Sequence, residues 1–385
     1  MYDKKVDVLY IITKLELGGA QKVCLSLLNG VKKKGGFSGL ISGQAGALVD
    51  EVKNLDSVYL LPEFEREIGL KNSFKEIILF LKLIRLIKKI KKNYPDLIVH
   101  THSTKAGILG RWASLFAGIE NRVHTVHGFA FHEHQNKIFW LLIYLSEFIT
   151  SFITTKFICV SNYDLKIGSK YLPFFKSRST VIRAAVDYDK FYIPVKMAKN
   201  FDVDNFVIGT VSCFKPQKNL IDLLKAFKKL LNDLPEKKNK IFLEIIGDGI
   251  LRTELEKFIN QNNLENNIKL FGWQKDVSSF VKNWDLFVLS SLWEGLPCAI
   301  IEARLSKLPI ISYAISGIPE VIFDNKNGLL VQAQNWQMLS EKIKFYINNN
   351  YEYLSAVNYK DNLISFHNDF MIEKHIDLYR DFSKL

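Results

Sequence analysis

The strongest constraint on this chain's fold is a rhythm that runs twice. Short apolar runs alternate with longer stretches whose apolar residues recur every three to four positions. In the first half the expected strands are Val6–Ile12, Leu40–Ser42, Val58–Leu61, Leu97–His100, Val123–His127 and Phe157–Val160, with helical stretches such as Gly19–Lys34 and Phe74–Asn93 between them. The pattern breaks over Thr180–Asp204. It restarts with Val207–Val211, Ile241–Ile246, Ile268–Phe271, Leu286–Leu289, Ile310–Ser312 and Leu329–Val331, separated by helical Leu220–Leu231, Arg252–Asn262, Ala299–Leu305 and Gln337–Ile347. Such alternation predicts parallel sheets joined by crossover helices. The expected fold is α/β, two Rossmann-like domains facing across a cleft. Residues 1–190 form the first and 191–365 the second, while 366–385 form a last helix (periodic over Asp369–Phe382) that crosses back to the first. A length of 385 residues suits two domains. Ligands of open α/β sheets bind beyond the carboxyl ends of the strands, so candidate residues are sought there.

Composition narrows the class. A hydrophobic content of 48% supplies ample core, which excludes a disordered chain. A formal charge of +12 calls for an anionic partner: a phosphorylated substrate, an anionic lipid or nucleic acid, unless it is only a lysine-rich surface. The cysteines, Cys24, Cys159, Cys213 and Cys298, show no CxxC spacing, so neither a disulfide framework nor a zinc site is expected and a reducing cytoplasm fits. The run Met1–Val6 shows no signal peptide. Ile138–Ile153 is almost wholly apolar, but it is shorter than the roughly 20 residues of a spanning helix and carries Glu147. A buried or membrane-facing helix is expected there. The stretch Phe74–Asn93 sets Lys82, Arg85, Lys88, Lys89, Lys91 and Lys92 against an apolar face, which suits either an anionic lipid surface or an ordinary crossover helix.

Four segments carry candidate chemistry. Ser291-Leu292-Trp293-Glu294-Gly295-Leu296-Pro297 follows an expected strand and precedes a helix that holds Glu302. The unpaired N–H groups at such a helix start suit an anion, while the carboxylates suit hydroxyls of a sugar and a ribose. Gly18-Gly19 lies between the first strand and the first helix, where backbone can approach a diphosphate closely. It lacks the GxGxxG pattern of nicotinamide sites. Lys218, within Lys215-Pro216-Gln217-Lys218, sits just before a helix and is placed to neutralise a diphosphate. His127 ends a strand and can bond a sugar hydroxyl or a phosphate oxygen. His100, His102, His124, His132 and His134 share its window, yet they have neither HExxH spacing nor a cysteine partner, so no metal site is expected. Asp187-Tyr188-Asp189 has the form of a metal motif but lies in the interdomain segment, which favours a hinge.

The segment from Asn283-Trp284-Asp285 through Trp293-Glu294-Gly295-Leu296-Pro297 and Ile301-Glu302-Ala303, followed by Ser316-Gly317-Ile318-Pro319-Glu320 and Asn327-Gly328-Leu329, resembles glycosyltransferase family 4, the retaining GT-B enzymes. The resemblance covers nearly the whole chain. It implies that Glu294 contacts the transferred sugar and Glu302 the ribose, with amides across Gly295, Leu296 and Pro297 on the distal phosphate. It further implies Lys218 on the diphosphate, His127 near the donor sugar and Gly18-Gly19 as the first domain's glycine loop. One departure stands out: where the family has Gly-Arg-Leu, this chain has Ser212-Cys213-Phe214, so Lys215 is the candidate substitute cation. The stretches His100–Gly107 and Val126–His132 resemble bacterial capsule and O-antigen transferases. That implies a lipid-diphosphate-linked acceptor and a peripheral place on the inner face of the cell membrane.

The expected function is thus retaining transfer of a hexose or N-acetylhexosamine from a nucleoside-diphosphate sugar, a UDP-sugar in the first instance, to a lipid-linked glycan. The resemblance implies no metal, no cofactor and no nucleic-acid partner. Two alternatives stay open at this point: a UDP-sugar epimerase or hydrolase on the same fold, and a non-catalytic protein that binds anionic lipid or nucleic acid.

Overall fold

The computed structural model describes residues 5–65, 73–196 and 204–382. Residues 1–4, part of the run read for a signal peptide, lie outside the described residues. The chain divides into a first unit, Met1–Ala185 with Ser365–Leu385, and a second, Val186–Ile364.

Among the described residues the first unit holds a seven-stranded sheet: β1 (Val8–Ile11), β2 (Ser38–Ser42), β3 (Val58–Leu60), β4 (Ile98–His102), β5 (Arg122–Val126), β6 (Lys156–Cys159) and β7 (Ser179–Val181). Their order is β3-β2-β1-β4-β5-β6-β7, all parallel. The second unit holds six strands: β8 (Phe206–Val211), β9 (Ile241–Ile246), β10 (Ile268–Gly272), β11 (Leu286–Leu289), β12 (Ile310–Tyr313) and β13 (Gly328–Val331), ordered β10-β9-β8-β11-β12-β13 and again all parallel. Both sheets therefore follow the doubly wound order, with the direction of winding reversing between β1 and β4 and between β8 and β11.

Burial explains why the strands were visible as continuous apolar runs. β1, β4 and β11 are buried along their whole length, as parallel strands covered on both faces must be. The helices show the other period. Leu220–Asp233 buries Leu220, Leu223, Leu224, Phe227, Leu230 and Leu231, one stripe at 3.6-residue spacing packed into the second unit's core. β7 is not among the expected strands: its three half-buried residues lie at the break in the rhythm, and a short, largely polar edge strand carries no apolar period.

The last helix, Asn368–Phe382, belongs to the first unit and lies against helix Gly19–Lys33; a Cβ on Gly30 would sit 2.6 Å from Ile372. It also contributes Tyr379, whose hydroxyl bonds His100 Nδ1 at 2.6 Å. In the second unit Gly209 of β8 faces the fully buried indole of Trp284, and a Cβ there would come within 1.8 Å of the ring. No other residue type fits that contact.

Candidate active site

Two loops build the second unit's candidate site. The loop leaving β8 runs through Ser212–Lys215 into the short turn Pro216–Lys218, and the loop leaving β11 runs through Ser290–Pro297. They emerge on either side of the point where the sheet reverses its winding. Their backbones are tied: Leu292 N–H donates to Gln217 O at 2.8 Å, and Ser290 Oγ donates to the carbonyls of Lys218 and Asn219, each at 3.0 Å. The Lys218 ammonium and the Glu294 carboxylate meet as a mostly buried ion pair. Gln217 Nε2 donates to Trp293 O at 2.7 Å and lies 3.4 Å from Glu294 Oε2. Such a pair is partly desolvated, so neither charge is well served if the other is removed.

The backbone here is held in unusual conformations. Asn219 (φ 44°) and Ser316 (φ 48°) occupy the left-handed region, which costs a non-glycine residue about 1–2 kcal/mol. Ser316 offsets part of that cost by accepting the Glu294 N–H on its Oγ at 3.2 Å, and the next amide, Gly317, donates to Gly295 O at 3.1 Å. The turn 316–317 thus fixes the backbone on which Glu294 rides. From the other side Gly247, at the end of β9, adopts φ 130°, and a Cβ there would fall 2.0 Å from Ser212 O. It lets the β9 loop press against the loop that carries Lys218.

Helix Cys298–Leu305 begins directly after the site, with Pro297 as its N-cap and no side chain capping it. Pro297 has no N–H, so of the expected phosphate-binding run Gly295-Leu296-Pro297 it can contribute shape but no donor. Glu302 lies within this helix and is buried. Arg304 anchors the helix by donating to Leu308 O at 2.6 Å and Ala356 O at 3.2 Å, with Asp361 accepting at 3.0 Å. Cys213 and Lys215 are both half-buried on the β8 loop.

In the first unit the reversal point lies between β1 and β4. There Thr13 Oγ1 and Ser103 Oγ are 2.8 Å apart, and Ser103 (φ 64°) opens helix Thr104–Phe116. Gly18 is the uncapped N-cap of helix Gly19–Lys33, so the glycine pair does stand at a helix start beyond β1. His127 follows β5 and bonds His102, Nε2 to Nδ1 at 2.9 Å. His100 bonds Thr125 Oγ1 at 2.7 Å through Nε2, and His124 Nδ1 lies 2.9 Å from Thr101 Oγ1. His375 of the last helix stacks 5.8 Å from His100. Burial pushes the His127 imidazole down to about 3 and that of His375 to about 4, with His375 adding to the effect on His127. Burial holds His100, His102 and His124 well below the ordinary range as well. The cluster is a set of neutral rings at pH 7. Among the described residues no group of three His, Cys, Asp or Glu side chains is arranged to hold a metal ion. Asp187-Tyr188-Asp189 enters the short helix Tyr188–Phe191 just after the junction between the units.

Sequence reasoning named Gln217, Ser316 and His102 without giving them a role, and it passed over Gly247. Gly247 has a readable mark of its own, a Gly-Asp-Gly directly after a strand. The others act through backbone angles or long-range contacts, which spacing does not encode.

The chain is similar to known proteins along both units. The family model "Glycosyltransferase Family 4" matches residues 17–190, and "Glycosyl transferases group 1" matches residues 195–363. The chain is 31% identical over 98% of its length to the UDP-Gal:alpha-D-GlcNAc-diphosphoundecaprenol alpha-1,3-galactosyltransferase of Escherichia coli, covering 96% of that protein. It is 26% identical to the capsular polysaccharide biosynthesis glycosyltransferase CapM of Staphylococcus aureus, over 77% of the chain and 78% of the relative. Among solved structures, HepE of Anabaena in complex with UDP and glucose superposes with a TM-score of 0.79 at 18% identity, covering 99% of this chain and 100% of that one. TarM superposes with a TM-score of 0.73 at 14% identity, over 98% and 100% of the two chains. The chain belongs to glycosyltransferase family 4 and has the GT-B fold.

Proposed function

We propose that this chain transfers a hexose or N-acetylhexosamine, with retention of configuration, from a UDP-sugar to a lipid-diphosphate-linked glycan in bacterial surface polysaccharide synthesis. It would work as a peripheral protein on the anionic inner face of the cell membrane. The observation that carries the reading is the Lys218–Glu294 pair at the reversal point of the second sheet. A cation and a carboxylate at one spot are what a sugar diphosphate needs: charge compensation for the phosphates and acceptors for the sugar hydroxyls. The full-length similarity to a relative named for a UDP-sugar donor and a diphosphoundecaprenol-linked acceptor supports the choice of both substrates.

On this reading the donor's diphosphate takes Glu294's place beside Lys218. Lys215 supplies the second cation that Cys213 does not. The amides of Gly295 and Leu296, and those opening the helix after Pro297, face the distal phosphate. Glu294, released from the lysine, accepts hydroxyls of the sugar, and Glu302 holds the ribose diol. Within the first unit, the Gly18-Gly19 loop offers backbone that a diphosphate could approach, and neutral His127 offers a ring nitrogen to a sugar hydroxyl. Chemistry then breaks the bond between the anomeric carbon and the diphosphate oxygen. It forms the bond to the acceptor oxygen on the same face, and the acceptor's proton passes to the departing diphosphate. Negative charge grows on that diphosphate in the transition state, where Lys218 is most effective. Neither a metal nor a cofactor is assigned a role.

The test is transfer from UDP-hexoses and UDP-N-acetylhexosamines to a lipid-diphosphate glycan, with the product's anomeric configuration read by NMR. Product with the donor's α configuration is expected. A β-linked product, or interconversion of the donor sugar without acceptor, contradicts the reading.

A further inference from the structure

Helix Lys137–Phe152 packs half-buried Tyr144 and Phe148 against the first unit's core, yet its fully buried residues are polar and much of its apolar surface faces outward. Its buried positions are Glu147, Thr150 and Ser151. Glu147 pairs with the buried Arg111 at 2.7 Å, and Thr150 Oγ1 accepts the Trp112 indole N–H at 3.0 Å. Its outward stripe is instead Ile138, Leu142, Leu145, Ile149 and Phe152, between 42% and 69% exposed. A helix on a water-facing surface shows the opposite arrangement, and a contiguous apolar face of this kind marks a binding surface.

The face continues onto its neighbours. Trp112 and Phe116 belong to helix Thr104–Phe116, which packs against Lys137–Phe152 on one side and against helix Ser73–Asn93 on the other, where Phe80 meets Phe116 edge-on at 5.9 Å. Down the exposed side of helix Ser73–Asn93 runs a single stripe: Phe74, Ile77 and Leu81, then Arg85, Lys88 and Lys92. Glu76 is the helix's one acidic residue, against seven lysines and arginines in its sequence. At the other end, exposed Phe174 lies edge-on to Phe152 at 6.5 Å under the Arg178 guanidinium.

We infer that this helical layer of the first unit is a membrane-docking face, with helix Lys137–Phe152 lying in the plane of an anionic leaflet. Charge complementarity selects the occupant. Apolar side chains that enter the acyl boundary beside a row of cations match an anionic bilayer, whereas a second copy of the chain would set those cations against each other. The helix spans about 24 Å, too short for a hydrocarbon core of about 30 Å. No helix among the described residues is long and apolar enough to cross a membrane. The inference rests on the proposed lipid-linked acceptor for its biological sense, but its test does not.

The experiment is flotation of the full chain with vesicles of phosphatidylcholine, with and without phosphatidylglycerol. It compares the wild type with a Leu142→Glu/Ile149→Glu double variant whose fold is checked by circular dichroism. Wild type is expected to float with the anionic vesicles and to be released by salt, and the double variant to lose at least about tenfold in partition. A Leu142→Trp variant should be quenched by lipids brominated in the acyl chain. Equal flotation of wild type and double variant would overturn the proposal. So would a wild type that ignores vesicles but forms a dimer that the double variant dissolves. Both proteins should still transfer sugar equally to a water-soluble acceptor. If wild type floats but transfers nothing, the proposed function falls and the docking face stands.

Discussion

In the second unit, the loops leaving β8 and β11 bring a lysine and a glutamate into an ion pair. In the first, the loops leaving the equivalent strands β1 and β4 bring two hydroxyls together, with a row of neutral imidazoles beside them. Apart from the extra edge strand β7, strand order is the same in both sheets, so topology decides only where a site can form. The side chains divide the chemistry. All eight histidines fall within the first unit, at positions 100, 102, 124, 127, 132, 134, 367 and 375. Fixed charge suits a diphosphate whose charge grows during reaction. Neutral rings suit hydroxyl groups, to which they can offer a donor or an acceptor without a desolvated ion.

The largest effects should come from breaking the charged half. Lys218→Ala and Glu294→Ala are each expected to lower turnover by about a hundred- to a thousandfold, with the fold intact. Glu294→Gln, which keeps the shape but not the charge, should recover only a small part. Near-normal turnover of folded Lys218→Ala would remove the distinction between the two reversal points. Steady-state kinetics with circular dichroism decides the matter.

Acid should break the neutral half. His127 and His375 titrate near 3 and 4 in the folded chain, and ordinary unfolded histidine near 6.5. Between about pH 6.5 and 4 the unfolded first unit therefore binds protons that the folded one refuses. Stability is complete above the unfolded value and falls on acidification, by up to about 1.4 kcal/mol per pH unit for each buried ring. The second unit has no histidine and should lack this slope. Fluorine-labelled tryptophan separates them, since Trp112 and Trp140 lie in the first unit and Trp273, Trp284, Trp293 and Trp336 in the second. Coincident transitions at every pH would contradict the comparison.

The two units were not equally legible in the sequence. Buried parallel strands read as apolar runs, so both sheets were visible, apart from the short edge strand Ser179–Val181. Glu294 and Lys218 were visible because each follows a strand and precedes a turn or helix. Their contact was not, because it joins residues 76 positions apart. Ser103, Asn219 and Ser316 adopt left-handed backbone without being glycine, and nothing local announces that. The apolar run Ile138–Ile153 shows the same limit. Its composition left both burial and membrane contact open. What decides its orientation is Arg111, which draws Glu147 inward from 36 residues away.

If the donor's diphosphate replaces Glu294 beside Lys218, as proposed, removing the lysine must weaken UDP, and calorimetric titration with UDP measures that loss. Wild type is expected to bind UDP. Lys218→Ala should bind at least about tenfold more weakly through loss of a charge-assisted contact, and Glu302→Ala more weakly by a smaller factor through loss of the ribose. Equal affinity for UDP in wild type and folded Lys218→Ala would contradict the account.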